Sequence, residues 1–242
     1  MFKPLRLALQ FLTRIPLPSL QQIEPRDTGR SMLFYPLVGL LIGALLLGVE
    51  HVLQGTAPLL RAAILVAIWV AITGALHLDG LADTADAWVG GHGDRERTLA
   101  IMKDPYCGPM GVVALLLVLL LKVGALAQIG GEGSYALIAA PLLGRTLLLL
   151  LFLTTPYVRS GGLGEMLAQQ LPRTAGWVIA VGVMAGVAVL PGIAAGMVFA
   201  VLALFLLFRY ALTVRLGGTT GDTAGALLEV CETSVLIYTA LM

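Results

Sequence analysis

Seven apolar stretches dominate the chain, at 33–49, 59–78, 112–129, 135–154, 175–190, 193–208 and 223–241. Each approaches the roughly 20 mostly apolar residues that a helix needs to cross the hydrocarbon core of a bilayer. Composition supports the same reading. Hydrophobic residues make up 58% of the 242 and charged residues 12%, about half the roughly 25% of an average soluble domain. Mean hydropathy is +0.94. So few charges cannot clothe the surface of a soluble globule of this size. A soluble enzyme, a disordered chain and a secreted disulfide scaffold are excluded. The expectation is an all-α, polytopic transmembrane helical bundle of about seven spans, forming a single domain over residues 1–242.

The basic residues orient this map. With the N-terminus in the cytoplasm, Lys3, Arg6, Arg14, Arg26, Arg30, Arg95, Arg97, Lys103, Arg159, Arg173, Arg209 and Arg215 are all cytoplasmic, and only Arg61 is external. Lys122 and Arg145 fall inside spans. So lopsided a distribution is what the positive-inside rule describes. Residues 1–30 read as a cytoplasmic amphipathic segment rather than a signal peptide. Their apolar run is broken by Arg6, Gln10 and Arg14, and no small-residue cleavage site follows. The fifth and sixth stretches are divided by Pro191-Gly192, a turn signal, and read either as two full spans or as a re-entrant pair. The long polar loops, about 79–111, 155–174 and 209–222, all fall on the cytoplasmic side. A net charge of +1 gives no global field to recruit nucleic acid. Cys107 and Cys231 lie far apart and suggest neither a disulfide framework nor a metal spacing.

The stretch from His77 to Trp88 reads HLDGLADTADAW. Asp79, Asp83 and Asp86 are spaced i, i+4, i+7 and fall within about 60° of one another on a helix. Three stacked carboxylates repel one another, a cost that makes sense if a cation sits among them. Mg²⁺ is the natural candidate, since it takes oxygen ligands and often one or two carboxylates plus substrate phosphates. The bland alternative is a solvated helix start, where the helix dipole favours aspartate. However, the stretch continues an apolar span and has no basic residue at helical spacing. His77 points away from the stripe and reads as a polar interface residue.

A second acidic set follows Gly217-Gly218-Thr219-Thr220-Gly221-Asp222. Glycine-rich loops let a backbone approach anions closely. Asp222, Glu229 and Glu232 again share one side of a helix, and the two glutamates lie inside a span. Intramembrane carboxylates are expensive to bury, so function is the default hypothesis for them. The alternative is structural pairing with Lys122 or Arg145, which are themselves candidate phosphate ligands. A third region, Ile101-Met102-Lys103-Asp104 and the turn-rich Pro105-Tyr106-Cys107-Gly108-Pro109, enters the third span. Gly-x-Ser-x-Gly, P-loop and dinucleotide fingerprints are absent.

Taken together, these blocks resemble the cobalamin synthase (adenosylcobinamide-GDP ribazoletransferase) family. The matching blocks are Phe11-Leu12-Thr13-Arg14-Ile15-Pro16-Leu17-Pro18, Tyr35-Pro36-Leu37-Val38-Gly39, the aspartate stretch from His77 to Asp86, Ile101 to Asp104, Gly144-Arg145, Gly162-Leu163-Gly164 and Gly217 to Asp222, with Glu229 and Glu232. They run almost end to end and in the family's order. Two places depart from it: Ala87 stands where glycine is frequent, and Pro105–Pro109 replaces a Ser-Arg-Leu-Gly-Thr loop.

The resemblance implies a Mg²⁺-dependent, multi-pass enzyme of the cell inner membrane with its active face in the cytoplasm. Its substrates would be adenosylcobinamide-GDP and α-ribazole, or α-ribazole 5′-phosphate. The products would be adenosylcobalamin or its phosphate, and GMP. Its cytoplasmic loops are candidate docking points for other corrin-pathway enzymes. On this reading Asp79, Asp83 and Asp86 hold Mg²⁺, with Asp86 or a neighbour as the base. Asp222 with Glu229 or Glu232 completes a second metal site. Lys103 and Arg145 neutralise phosphate oxygens, with Arg159 and Asp104 as further substrate contacts. Gly218 and Gly221 admit a phosphate or sugar. Two rivals stand beside it. A CDP-alcohol phosphotransferase shares the aspartate pattern only in part, because Leu76 and Gly90 occupy places where that pattern has aspartate. An ion-coupled transporter accommodates Glu229, Glu232 and Arg145, but the chain lacks the inverted repeats common in that class.

Overall fold

The computed structural model describes residues 3–20, 22–161, 163–190, 192 and 194–242. Twelve α-helices follow one another among them: α1 (Lys3–Leu12), α2 (Pro25–Ser31), α3 (Tyr35–Val52), α4 (Pro58–Thr73), α5 (Leu76–Gly90), α6 (Arg95–Ile101), α7 (Pro109–Gln128), α8 (Ala136–Thr154), α9 (Leu163–Gln170), α10 (Arg173–Ala188), α11 (Ala194–Leu216) and α12 (Gly221–Leu241). Short 3₁₀ turns, Met32–Phe34 and Gly131–Tyr135, lead into α3 and α8. No strand occurs among the described residues, only an isolated parallel bridge between Tyr157 and Thr219. The all-α membrane architecture is therefore as expected. Five helical segments are long and apolar enough to cross a bilayer, and up to seven spans result if each of two sharply bent helix pairs is one.

Helix α8 is the axis of the bundle. It is buried along nearly its whole length and packs against α3, α10 and α12. The α3 contact is made close by glycines. A Cβ on Gly43 would come within 2.6 Å of the Ile138 Cα, and one on Gly39 would collide with the Pro141 backbone. Small residues one helical turn apart let backbones approach where apolar lipid supplies no hydrophobic drive to pack. By contrast, α7 and α11 turn rows of leucine outward, among them Leu116, Leu120, Leu206 and Leu207. That is the surface a lipid tail would meet.

Two expectations are corrected. The stretch 59–78 is not one span running into the aspartates. Helix α4 stops at Thr73, and α5 leaves at 91° to it. Gly74 and Ala75 both have left-handed backbones, with φ of +63° and +58°. Glycine takes that conformation freely and commonly ends helices with it. Arg14 supports the corner: its backbone N–H donates to the Ile72 carbonyl at 2.7 Å, and its side chain fills the space beside Gly74. Second, the polar loop expected at 209–222 begins later. Helix α11 continues to Leu216, so Arg209 and Arg215 are helical. Their guanidinium groups donate to the carbonyls of Thr154 and Trp88. The Pro191-Gly192 turn lies between α10 and α11, with Pro191 and Ile193 outside the described residues, as is Gly162. Both cysteines are free.

Candidate functional site at the crossing of α5 and α12

Helices α5 and α12 cross unusually closely, and two glycines make that possible. A Cβ on Gly80 would lie 2.8 Å from the Asp222 carbonyl oxygen, and one on Gly225 would lie 3.2 Å from the His77 Cα. Asp222 is the second residue of α12. Its place is fixed by a capping box: the Thr220 hydroxyl accepts from the Thr223 N–H at 3.2 Å, and the Thr223 hydroxyl from the Thr220 N–H at 2.9 Å. The crossing therefore carries Asp222 to the aspartate face of α5. Asp79, Asp222 and Asp86 all lie near enough for their charges to act on Asp83, opposed by Arg159.

Arg159 reaches the site through paired loops. The Val158 N–H donates to the Thr219 carbonyl at 2.9 Å and the Thr219 N–H to the Pro156 carbonyl at 2.8 Å. That ladder aims Arg159 Nη1 at Asp222 Oδ2, 2.8 Å away. The same pairing corrects the reading of Gly218 as a phosphate cradle. A Cβ there would collide with the Pro156 carbonyl, so the glycine admits protein backbone rather than a ligand. Gly221 differs. It is exposed and lines a cavity of about 200 Å³ with Asp79, Asp222, Gly80, Phe11 and Tyr35. The Tyr157 phenol stands near Gly221. Burial raises its pKa above the ordinary value; Arg159 opposes the shift and Asp222 adds to it.

Asp86 has a different environment from Asp79 and Asp83. Its Oδ2 accepts the Gly108 N–H at 2.7 Å and its Oδ1 the Gly111 N–H at 2.9 Å. Helix α7 begins at Pro109 with Gly108 as its cap, a residue with no side chain to offer. Asp86 supplies from a neighbouring helix the acceptor that a cap residue normally provides. Lys103 and Asp104 are exposed. The Asp104 carboxylate accepts the Tyr106 N–H at 3.0 Å and so organises its own turn. Met102 is buried beside the Thr220 hydroxyl, which brings this loop alongside the start of α12.

Glu229 and Glu232 are placed elsewhere. Lys122 Nζ lies 2.7 Å from Glu229 Oε2 and 2.7 Å from Glu232 Oε2, and Arg145 pairs with the other oxygen of Glu232. All four side chains are buried, and the Trp69 ring lies 4.6 Å beneath the lysine. The sequence grouped Asp222 with these glutamates in a second metal site and assigned Arg145 to substrate phosphate. The structure separates them. Helical spacing fixes which side a residue faces but not what it meets at its own depth, and seven residues of helix are roughly 10 Å of rise. Arg145 has no exposed surface to offer a substrate. No group of three His, Cys, Asp or Glu side chains converges to ligating distance among the described residues. Sequence reasoning did not single out Gly80, Gly225, Tyr157 or the cavity wall of Phe11 and Tyr35. A glycine inside each of two apolar helices was the signal for the first pair.

Comparison with known proteins follows the same lines. The family model described as cobalamin-5-phosphate synthase matches residues 4–240. An adenosylcobinamide-GDP ribazoletransferase of Pseudomonas paraeruginosa is 57% identical over 240 residues, covering 98% of this chain and 97% of its own. Proteins of the same name from Pseudomonas fluorescens and Stutzerimonas stutzeri are 56% and 55% identical, each over 241 residues and 98% of this chain, covering 99% and 98% of their own. No solved structure matches the chain.

Proposed function

Because the chain belongs to the cobalamin-5-phosphate synthase family, we propose that it is an adenosylcobinamide-GDP ribazoletransferase that works with Mg²⁺. It joins the cobinamide phosphate of adenosylcobinamide-GDP to the 5′-oxygen of α-ribazole or its phosphate and releases GMP. The observation that carries this reading is the grouping of Asp79, Asp83 and Asp222 about the glycine-built crossing, near enough for their charges to act on one another, with Arg159 at its edge. Four carboxylates, Asp86 included, face one guanidinium there, so the site holds a surplus of negative charge.

The donor set fits Mg²⁺. It is all oxygen, and it is open rather than a closed cage, as suits an ion usually held by one or two carboxylates plus substrate phosphates. When bound, the ion supplies charge neutralisation on the diphosphate and on the departing GMP. Asp79, Asp83 and Asp222 would hold it, closing on the ion from positions that do not converge to ligating distance without it. Arg159, now on Asp222, turns to a diphosphate oxygen when substrate enters, with Lys103 as a second cation from the adjoining loop. No described residue donates a hydrogen bond to the carboxylates of Asp79 or Asp83. Asp83 therefore has one carboxylate oxygen for the ion and the other for the proton of an attacking 5′-hydroxyl, while Asp86 holds the start of α7.

The site sits in the cytoplasm with the N-terminus, in a chain of the inner membrane. Supporting this, Arg14, Arg95, Arg159 and Arg215 all lie along elements at this end of the bundle. The test is GMP release by the purified, detergent-solubilised full chain given adenosylcobinamide-GDP and α-ribazole. Release that requires Mg²⁺ and α-ribazole together, with a cobalamin product, is expected. Well-folded protein that releases no GMP in any lipid environment overturns the proposal.

A further inference from the structure

The aspartate cavity shares part of its wall with a second one. Phe11, Tyr35, Leu163 and Leu167 line it, and the same four residues line a second cavity of about 300 Å³ between α1, α2 and α9. The two cavities adjoin along these four residues, and the halves on either side are unlike. The first half holds Asp79 and Asp222. The second carries no charged side chain on its wall: Leu7, Ile23 and Met166 complete it, and its polar groups are the hydroxyls of Thr28, Ser31 and Tyr35. The Phe11 and Tyr35 rings stack with centroids 6.2 Å apart and planes at 23°, so Phe11 presents a flat apolar face at the junction of the halves. Phe11 and Met166 are both exposed, whereas Tyr35 is buried and fixed.

Resting on the ribazoletransferase reading, we propose that this apolar half seats the base of the incoming nucleoside, and that Phe11 and Met166 grip it. The two substrates offer two planar bicyclic bases. Guanine carries a dense edge of donors and acceptors, and a site that selects it must answer that edge with carboxylate, amide or backbone groups. The slot has no carboxylate or amide side chain on its wall. The dimethylated benzimidazole of α-ribazole is largely apolar and asks for burial, stacking and at most one hydroxyl donor to its ring nitrogen. Seated there, it directs its ribose toward the shared wall and the 5′-oxygen toward Asp79 and Asp83. GDP and corrin then approach from the open, polar side.

The test is steady-state kinetics on the full chain in lipid, varying each substrate in turn. Phe11→Ala raises KM for α-ribazole about tenfold, the scale of one lost base–aromatic stack, and leaves KM for adenosylcobinamide-GDP within about twofold. Phe11→Trp restores the lower value. Met166→Trp, which fills the slot, raises KM for α-ribazole as well. Both positions are exposed, so the variants keep the fold. Unchanged KM for α-ribazole in variants that still release GMP overturns the slot assignment and leaves the activity standing. A rise confined to adenosylcobinamide-GDP, or equal for both substrates, also overturns it. Absence of GMP release from the unaltered protein instead overturns the reading on which the inference rests.

Discussion

Helix α12 carries two acidic regions two turns apart, and they have opposite designs. At Glu229 and Glu232 two carboxylates meet two cations, Lys122 and Arg145, and all four are buried. At Asp222 the helix joins Asp79, Asp83 and Asp86, and one guanidinium, Arg159, faces four carboxylates. The deep group is balanced and closed. The shallow group is unbalanced and opens on a cavity. A buried pair owes its persistence to the high cost of removing either member, so it needs no ligand to explain it. A surplus of like charge at a cavity wall is unfavourable by itself and calls for a cation from outside. Charge balance, more than burial or residue type, separates the structural carboxylates from the candidate reactive ones.

The sharpest way to break this contrast is Asp83→Asn. It should leave the protein inserted and folded, since no described residue donates to that carboxylate, yet cut GMP release by about 10²–10³-fold, the scale of losing one preorganised electrostatic contact at a transition state. Full activity would remove the metal-site reading. Glu232→Leu should act the other way. It strands a fully buried guanidinium, and loss of one partner from such a pair costs about 3–5 kcal/mol, visible as a lowered Tm and poor yield. Adding Arg145→Met should recover most of the folded protein. If Glu232→Leu folds normally and loses only its response to Mg²⁺, the two regions are not distinct. The smallest effect belongs to Asp86→Ala. As a cap for α7 its loss should cost about 1 kcal/mol and leave measurable turnover. A loss as complete as that of Asp83→Asn would make Asp86 a ligand or base instead.

Much of the fold was legible because hydropathy is a one-dimensional signal. The apolar stretches at 112–129, 135–154 and 223–241 correspond closely to α7, α8 and α12. The common face of Asp79, Asp83 and Asp86 was legible too, because helical period fixes angle. What hydropathy could not register was backbone handedness at Gly74-Ala75, so one apolar stretch was read through a right-angled corner. Depth was likewise hidden. Asp222 and Glu229 share a side of α12, but their neighbours come from different helices, and only packing decides that Lys122 reaches one and Arg159 the other. Within Pro105–Pro109 the structure accounts for the glycine shared with the family's loop, and nothing in it explains the residues that differ. Gly108 and Gly111 leave room for the Asp86 carboxylate, where a Cβ on Gly108 would lie 2.5 Å from its Oδ1.

The corner at Gly74-Ala75 also works as a lever. On a straight continuation of α4, Asp79, Asp83 and Asp86 would lie about 31–42 Å along the axis from Pro58, beyond the roughly 30 Å of a hydrocarbon core. The 91° bend instead lays α5 against α12. Holding Ala75 in a left-handed conformation costs about 1–2 kcal/mol. A single strained alanine thus turns a helix that would carry its carboxylates away from the bundle into one that folds them against Asp222. A substitution that straightened the corner would dismantle the aspartate face as a unit rather than remove one carboxylate from it.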